Sequence, residues 1–270
     1  MRRYIGLLFM FLLVATPAFA SVSNAPVQWG FKKGKDEQPA EAGKELDELL
    51  DKYDAFYKGD SDTKDIYLTF DNGYENGYTA KFLDVLKSEK VPATFFVTGH
   101  YLESQPELVK RMAKEGHIIG NHSYYHPDLT KVDDDRLKRE LEKVRAKTEE
   151  ITGIKNMVYL RPPRGILSER TLQLAKEEGY THVMWSVAFV DWKIDQQKGA
   201  QYAYDNIMRQ IHPGAIILLH TVSKDNADAL EQAIQDLKKK GYTFKSLDDL
   251  TKRKSTKNPM LFSKKKTHQN

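Results

Sequence analysis

Two histidines four residues apart, His122 and His126 in the stretch GNHSYYHP, have the types and spacing that predict a metal site. On a helical turn, this spacing would place both imidazoles on one face. Imidazole is the commonest metal ligand among protein side chains. An oxygen from Asp71 or Asn72 would complete the three protein ligands that a catalytic ion usually takes. The set predicts a bound divalent metal, zinc or a similar ion.

Four more polar residues predict proton transfer beside that ion. Asp71 is the candidate base that takes a proton from water, and His220 is the candidate acid that protonates a leaving group. Arg161 would hold Asp71 ionised, and Asp191 would keep His220 protonated. The chain has no cysteine and no GxSxG stretch, which argues against a covalent nucleophile. Metal-assisted hydrolysis of an amide or ester is the chemistry predicted.

These residues follow apolar runs that predict buried strands, and amphipathic segments that predict helices lie between the runs. Ser168 and Asn226 are candidate N-caps of the last two predicted helices. The predicted strands are 66–70, 93–99, 117–120, 157–160, 182–188, 215–220 and 242–247. The predicted helices are 77–90, 106–116, 133–153, 167–179 and 226–241. This alternation indicates an α/β fold, a distorted (β/α) barrel of about seven parallel strands. In such barrels the site lies at the carboxyl ends of the strands.

The two ends of the chain differ from the predicted barrel. Residues 1–20 contain two arginines, an apolar run and the small-residue pattern Ala18-Phe19-Ala20. Together these features predict a signal peptide and export, and an uncleaved membrane anchor is the alternative. Residues 21–62 are predicted to be an extension packed on the barrel, 63–249 the catalytic domain, and 250–270 a basic, disordered tail.

The charge of the chain argues against a nucleic-acid partner. Formal net charge is +4, but without the signal arginines and residues 251–270 the chain has 33 basic and 38 acidic residues. No other apolar run is long enough to span a membrane, so no stable span is expected after signal cleavage. The sequence leaves the oligomeric state open.

The polar stretches resemble the motifs of the polysaccharide deacetylase family. The matching stretches, in family order, are TFDNG (69–73), HSYYH (122–126), RPPRG (161–165), Asp191-Trp192 and LLH (218–220). The resemblance implies a metal-dependent enzyme that removes N-acetyl groups from sugar polymers. It implies Asp71 as base, His122 and His126 as metal ligands, Arg161 and Asp191 as orienting partners, and His220 as acid.

Two positions depart from the family pattern. Asn72 stands where the family usually has a second aspartate that binds the metal, so a more weakly held ion is expected. Arg164 stands where the family usually has an aromatic residue. Together with WGFK (29–32) and YDAFY (53–57), these departures resemble the muramic-acid de-N-acetylases of δ-lactam synthesis in spore peptidoglycan.

That resemblance implies peptidoglycan glycan strands as partner, in the cell wall or spore cortex, and peptide-free N-acetylmuramic acid as substrate. Arg164 would bind the lactyl carboxylate, unless it pairs with a local acid such as Glu169. Trp192 and Tyr74 are candidate sugar-binding aromatics. The alternatives are a deacetylase of N-acetylglucosamine polymers such as chitin oligomers, and a non-catalytic glycan-binding module.

Overall fold

The computed structural model describes residues 22–257, so the predicted signal peptide and residues 258–270 lie outside the described part of the chain. The strands are β1 (Val27–Gln28), β2 (Asp65–Asn72), β3 (Ala93–Val97), β4 (Ile118–Asn121), β5 (Tyr159–Leu160), β6 (Ile166–Leu167), β7 (Thr181–His182), β8 (Ile216–His220) and β9 (Thr243–Phe244). The helices are α1 (Lys44–Lys52), α2 (Thr79–Glu89), α3 (Gly99–Ser104), α4 (Pro106–Lys114), α5 (Asp134–Thr152), α6 (Glu169–Glu177), α7 (Ala200–Gln210), α8 (Lys224–Lys239) and α9 (Leu247–Lys257).

The core is a curled sheet of seven parallel strands in the order β7-β5-β4-β3-β2-β8, with β9 also paired to β2. Residues after Asp65 in β2 are all buried, because helices cover the sheet. The segment after β7 returns to β8, where Ser186 N–H donates to Ile216 O over 3.0 Å and Val187 pairs with Ile217. The predicted distorted (β/α) barrel is confirmed.

The N-terminal segment packs against one side of this barrel. Strand β1 pairs antiparallel with β6. Trp29, Leu50 and Tyr53 form a buried apolar cluster with Leu167 and Met184. Among residues 22–257, no helix combines the length and apolar character needed to cross a membrane.

The described structure differs from the expected elements at two places, the start of α8 and residues 250–257. Ser223, not Asn226, is the N-cap of α8, since its side chain accepts from the Asn226 N–H. Residues 250–257, expected to belong to a disordered tail, are the end of α9. They are ordered by long-range contacts that the charge pattern does not reveal: Leu250 is fully buried, and Arg253 donates to Asp65 over 2.8 Å.

Candidate functional site

The predicted site residues meet at the carboxyl ends of the parallel strands. Asp71 and Asn72 end β2 and His220 ends β8, with Asp71 directly opposite His220 in the register. His122 follows β4 and Arg161 follows β5. Parallel pairing therefore brings together residues that are up to about 150 positions apart in the sequence.

An ion pair between Asp71 and Arg161 lies at the centre of the site. Arg161 Nη1 donates to Asp71 Oδ1 over 2.8 Å, and Arg161 is completely buried. Burial alone would raise the pKa of the Asp71 carboxyl, but the charge of Arg161, with smaller contributions from His122 and His220, holds that pKa below its ordinary value. Asp71 is therefore ionised and available as a proton acceptor at neutral pH.

Two backbone carbonyls of the barrel accept hydrogen bonds from other nitrogens of Arg161. Its Nε donates to Val183 O over 3.0 Å, and its Nη2 donates to Met184 O over 3.3 Å. Its guanidinium carbon lies 4.2 Å from the centre of the Phe96 ring. Gly120 makes room for that ring, because a Cβ at this position would be 2.6 Å from Phe96.

His122 and His126 lie on a loop, so the expectation that they share a helical turn is wrong. The loop brings the rings together with left-handed backbone at Ser123 (φ 60°) and His126 (φ 56°). Asn121 Oδ1 accepts from Ser123 N–H over 2.9 Å, and the buried Glu140 accepts from Tyr125 N–H over 2.7 Å. These bonds offset the conformational cost of left-handed non-glycine residues.

Both imidazoles are neutral at pH 7. His122 Nδ1 lies 2.8 Å from Arg161 O, which can only accept, so Nδ1 carries the proton and Nε2 has the lone pair. Burial lowers the pKa of His122 despite the opposing effect of Asp71. Burial, with smaller effects from His122 and Arg164, lowers the pKa of His126 to about 3.

The two imidazoles fit a divalent cation. Their Nε2 atoms are 3.3 Å apart, close to the separation of about 3.4 Å expected for two nitrogens bound tetrahedrally at 2.0–2.1 Å. Within residues 22–257, no group of three or more His, Cys, Asp or Glu has the arrangement of a metal site. Two side-chain oxygens remain candidates for a third ligand: Asp71 Oδ2 lies 3.5 Å from His122 Nε2, and Asn72 Oδ1 is buried without a hydrogen-bond partner.

Asn72 belongs to a buried chain of polar side chains that sequence reasoning missed. Its Nδ2 donates to Thr221 Oγ1 over 2.7 Å, and Thr79 donates to the same oxygen over 2.9 Å. Thr79 in turn contacts Glu75 and Tyr101. The amide supplies a donor that an ionised aspartate would lack, which gives a structural use for asparagine here.

His220 and Asp191 form a second pair. His220 Nδ1 lies 2.7 Å from Asp191 Oδ1, and the His220 backbone N–H donates to Asp191 Oδ2 over 2.8 Å. Burial would lower the pKa of His220, but Asp191 outweighs it, so the pKa is raised. Asn226, which the sequence suggested as a helix cap, donates to Asp191 Oδ2 over 2.5 Å. Only the folded chain brings this third residue to the pair.

Arg164 is exposed on the rim near His126, whose pKa it helps to lower. The alternative partner Glu169 instead contacts Lys52 and Tyr53. No carboxylate of residues 22–257 forms an ion pair with the Arg164 guanidinium, whose charge is therefore available to a ligand.

The two predicted sugar-binding aromatics are also on the rim. Trp192 is 46% exposed and its ring centre lies 5.4 Å from that of His220, while Tyr74 is 41% exposed. Large aromatic faces held open to solvent beside a polar site suit stacking on sugar rings.

The arrangement of strands agrees with the comparisons with known proteins. A family model described as polysaccharide deacetylase matches residues 58–183. The chain belongs to the polysaccharide deacetylase family, the family 4 carbohydrate esterases. It is a hydrolase, and members of this family depend in general on a metal ion.

Three relatives illustrate the similarity. The peptidoglycan-N-acetylmuramic acid deacetylase PdaA of Bacillus subtilis is 59% identical over 241 residues, 89% of this chain and 92% of that protein. The solved structure of PdaA, described as a family 4 carbohydrate esterase, has a TM-score of 0.85 and covers 86% of this chain and 100% of its own. The peptidoglycan-N-acetylglucosamine deacetylase of Bacillus cereus is 37% identical over 205 residues, 74% of this chain and 73% of that protein.

Replacing Asp191 by asparagine should lower the pKa of His220, because burial would then act without the carboxylate charge that favours the imidazolium. Proton NMR titration, with the His220 signal assigned from a His220→Gln variant, measures this. Asp195→Asn is the control, since Asp195 is an exposed carboxylate on the same loop. An unchanged His220 pKa in Asp191→Asn would contradict the role of this pair.

Proposed function

We propose that this protein hydrolyses the N-acetyl group of N-acetylmuramic acid in peptide-free peptidoglycan glycan strands. The observation that carries the substrate assignment is Arg164, a rim cation beside His126 without an acidic partner in residues 22–257. Muramic acid differs from glucosamine by a lactyl ether, which carries a carboxylate once the peptide is removed. Similarity to PdaA over 89% of the chain supports the same substrate.

In the proposed reaction, Asp71 and His220 carry out the two proton transfers. Asp71 accepts a proton from the water that attacks the acetyl carbonyl carbon. The carbon–nitrogen bond breaks as His220 gives its proton to the leaving nitrogen, and acetate and the free amino sugar result. The lowered pKa of Asp71 and the raised pKa of His220 support this division, because the first favours an ionised base and the second favours a protonated acid.

His122 and His126, with Asn72 as third ligand, would hold the divalent metal. The chemistry that such an ion supplies is polarisation of the acetyl carbonyl. Zinc or a similar ion suits two neutral imidazoles. Because an amide oxygen carries no full charge, we infer that the ion is held less tightly than by a family member with aspartate at this position.

The cellular setting follows from the substrate. Glycan strands of peptidoglycan lie outside the cytoplasmic membrane, so the enzyme must be exported, and residues 1–20 supply the predicted signal. The expected location is the cell wall or the spore cortex.

His220→Ala should reduce acetate release from peptide-free muramyl glycan by about 10²–10⁴-fold, since the leaving amine loses its proton donor. Asp71→Asn should have an effect of similar size. It also leaves the buried charge of Arg161 without a partner, so its folded fraction must be measured by thermal denaturation. The exposed His100, changed to alanine, is the control. Retention of more than about a tenth of the activity by His220→Ala would remove His220 from this role.

His126→Ala should weaken Zn²⁺ binding by at least about tenfold, and Asn72→Asp should strengthen it. Titration calorimetry on chelator-treated protein measures both affinities without reference to activity. His100→Ala should bind zinc as the unaltered protein does. Equal affinity of His126→Ala and the unaltered protein would rule out the proposed ligand set.

Arg164→Tyr should lower kcat/KM on the peptide-free muramyl glycan by about 10- to 150-fold, equivalent to the loss of a hydrogen-bonded charge contact of about 1.5–3 kcal/mol. Turnover of neutral chitin oligomers should not fall. Arg139→Tyr is the matched control, because Arg139 is exposed on α5. An equal loss on both substrates would show that Arg164 acts on structure and not on the lactyl group.

A further inference from the structure

The short loop that carries Arg164 is held by the N-terminal segment, not only by the barrel. Gln28 Nε2 donates to the carbonyl oxygen of Arg164 over 2.8 Å. The next residue, Trp29, donates its backbone N–H to Gly165 O over 2.8 Å. Two consecutive peptide carbonyls of the loop are thus fixed by two consecutive residues of the segment.

This support matters because the loop has an unfavourable backbone conformation. Arg164 has a φ of 58°, in the left-handed region that residues other than glycine seldom adopt. Gly165 follows with a φ of 68°, and a Cβ there would meet Trp185 at 2.7 Å and Trp29 at 3.1 Å. A strained residue persists only where its surroundings determine its conformation.

Further contacts fix the segment itself. Trp29 is buried, and its Nε1 donates to Trp185 O over 3.1 Å. Asn24 donates to Thr130 O and accepts from Ser168, both over 2.9 Å. The segment is thereby tied to the chain on both sides of the Arg164 loop, so Gln28 offers its amide from a defined position.

We propose that Gln28 is a positioning residue that sets selectivity for the lactyl carboxylate by fixing the backbone of Arg164. This inference rests on the proposed muramyl substrate. Gln28 acts through Arg164 and not on the reacting atoms, because its amide donor is engaged by the Arg164 carbonyl.

The test compares two glycans that differ only in the charge that Arg164 would bind: peptide-free muramyl glycan, and the same glycan with the lactyl carboxyl converted to a carboxamide. Gln28→Ala should raise KM for the carboxylate about three- to tenfold, the loss expected for one hydrogen bond, with kcat changed less than about twofold. KM for the carboxamide should change much less. Gln38→Ala is the control, because Gln38 is an exposed glutamine of the same N-terminal segment.

A double-mutant cycle separates positioning from direct contact. In an Arg164→Tyr background, Gln28→Ala should cause no further rise in KM for the carboxylate. A persistent rise there, an equal effect on both glycans, or an unchanged KM in the single variant would each overturn the inference. If the unaltered protein releases no acetate from the muramyl glycan, the proposed function fails, and the inference fails with it.

Discussion

The buried ion pair between Asp71 and Arg161 is the interaction on which the rest of the site depends. A fully buried guanidinium loses its hydration, and this cost is offset only where nearly every donor finds an acceptor. Asp71 supplies one, and the carbonyls of Val183 and Met184 supply two more. Removing either partner of such a pair costs about 3–5 kcal/mol, since a charge is left uncompensated. The same residue also orders its neighbour, because the Arg161 carbonyl fixes the tautomer of His122.

The two ion pairs give the site its chemical asymmetry. Against the effect of burial in each case, Arg161 lowers the pKa of the Asp71 carboxyl and Asp191 raises the pKa of the His220 imidazole. Asp71 and His220 are opposite each other on adjacent strands, so two neighbouring groups have pKa values shifted in opposite directions, as the proposed base and acid require. Each side is further oriented by a residue remote in sequence, as Asn226 is for Asp191. The fold thus shifts the pKa values of two neighbouring groups in opposite directions by giving each its own counter-charge.

Support for the site extends beyond the strand ends. Glu140 on α5 holds the backbone of the histidine loop, and Gln28 holds that of the Arg164 loop. Both loops contain non-glycine residues with positive φ, which need such external hydrogen bonds to persist. The segment before the barrel therefore takes part in the shape of the rim.

The sequence by itself determined that Asp71, Arg161 and His220 lie at one edge of a parallel sheet, because each stands at the end of a β-forming run. Strand periodicity and turn residues are local signals, so they can be recognised without knowledge of the fold. It did not reveal that 122–126 is a loop, that Asn226 orients Asp191 instead of capping a helix, or that 250–257 is an ordered helix. Those outcomes are decided by contacts across the fold, such as Arg253 with Asp65, 188 positions away. Residue spacing constrains only neighbours along the chain. The partner of a buried charge, or of a backbone carbonyl in a loop with positive φ, depends on which distant segment the folded barrel brings within hydrogen-bond distance.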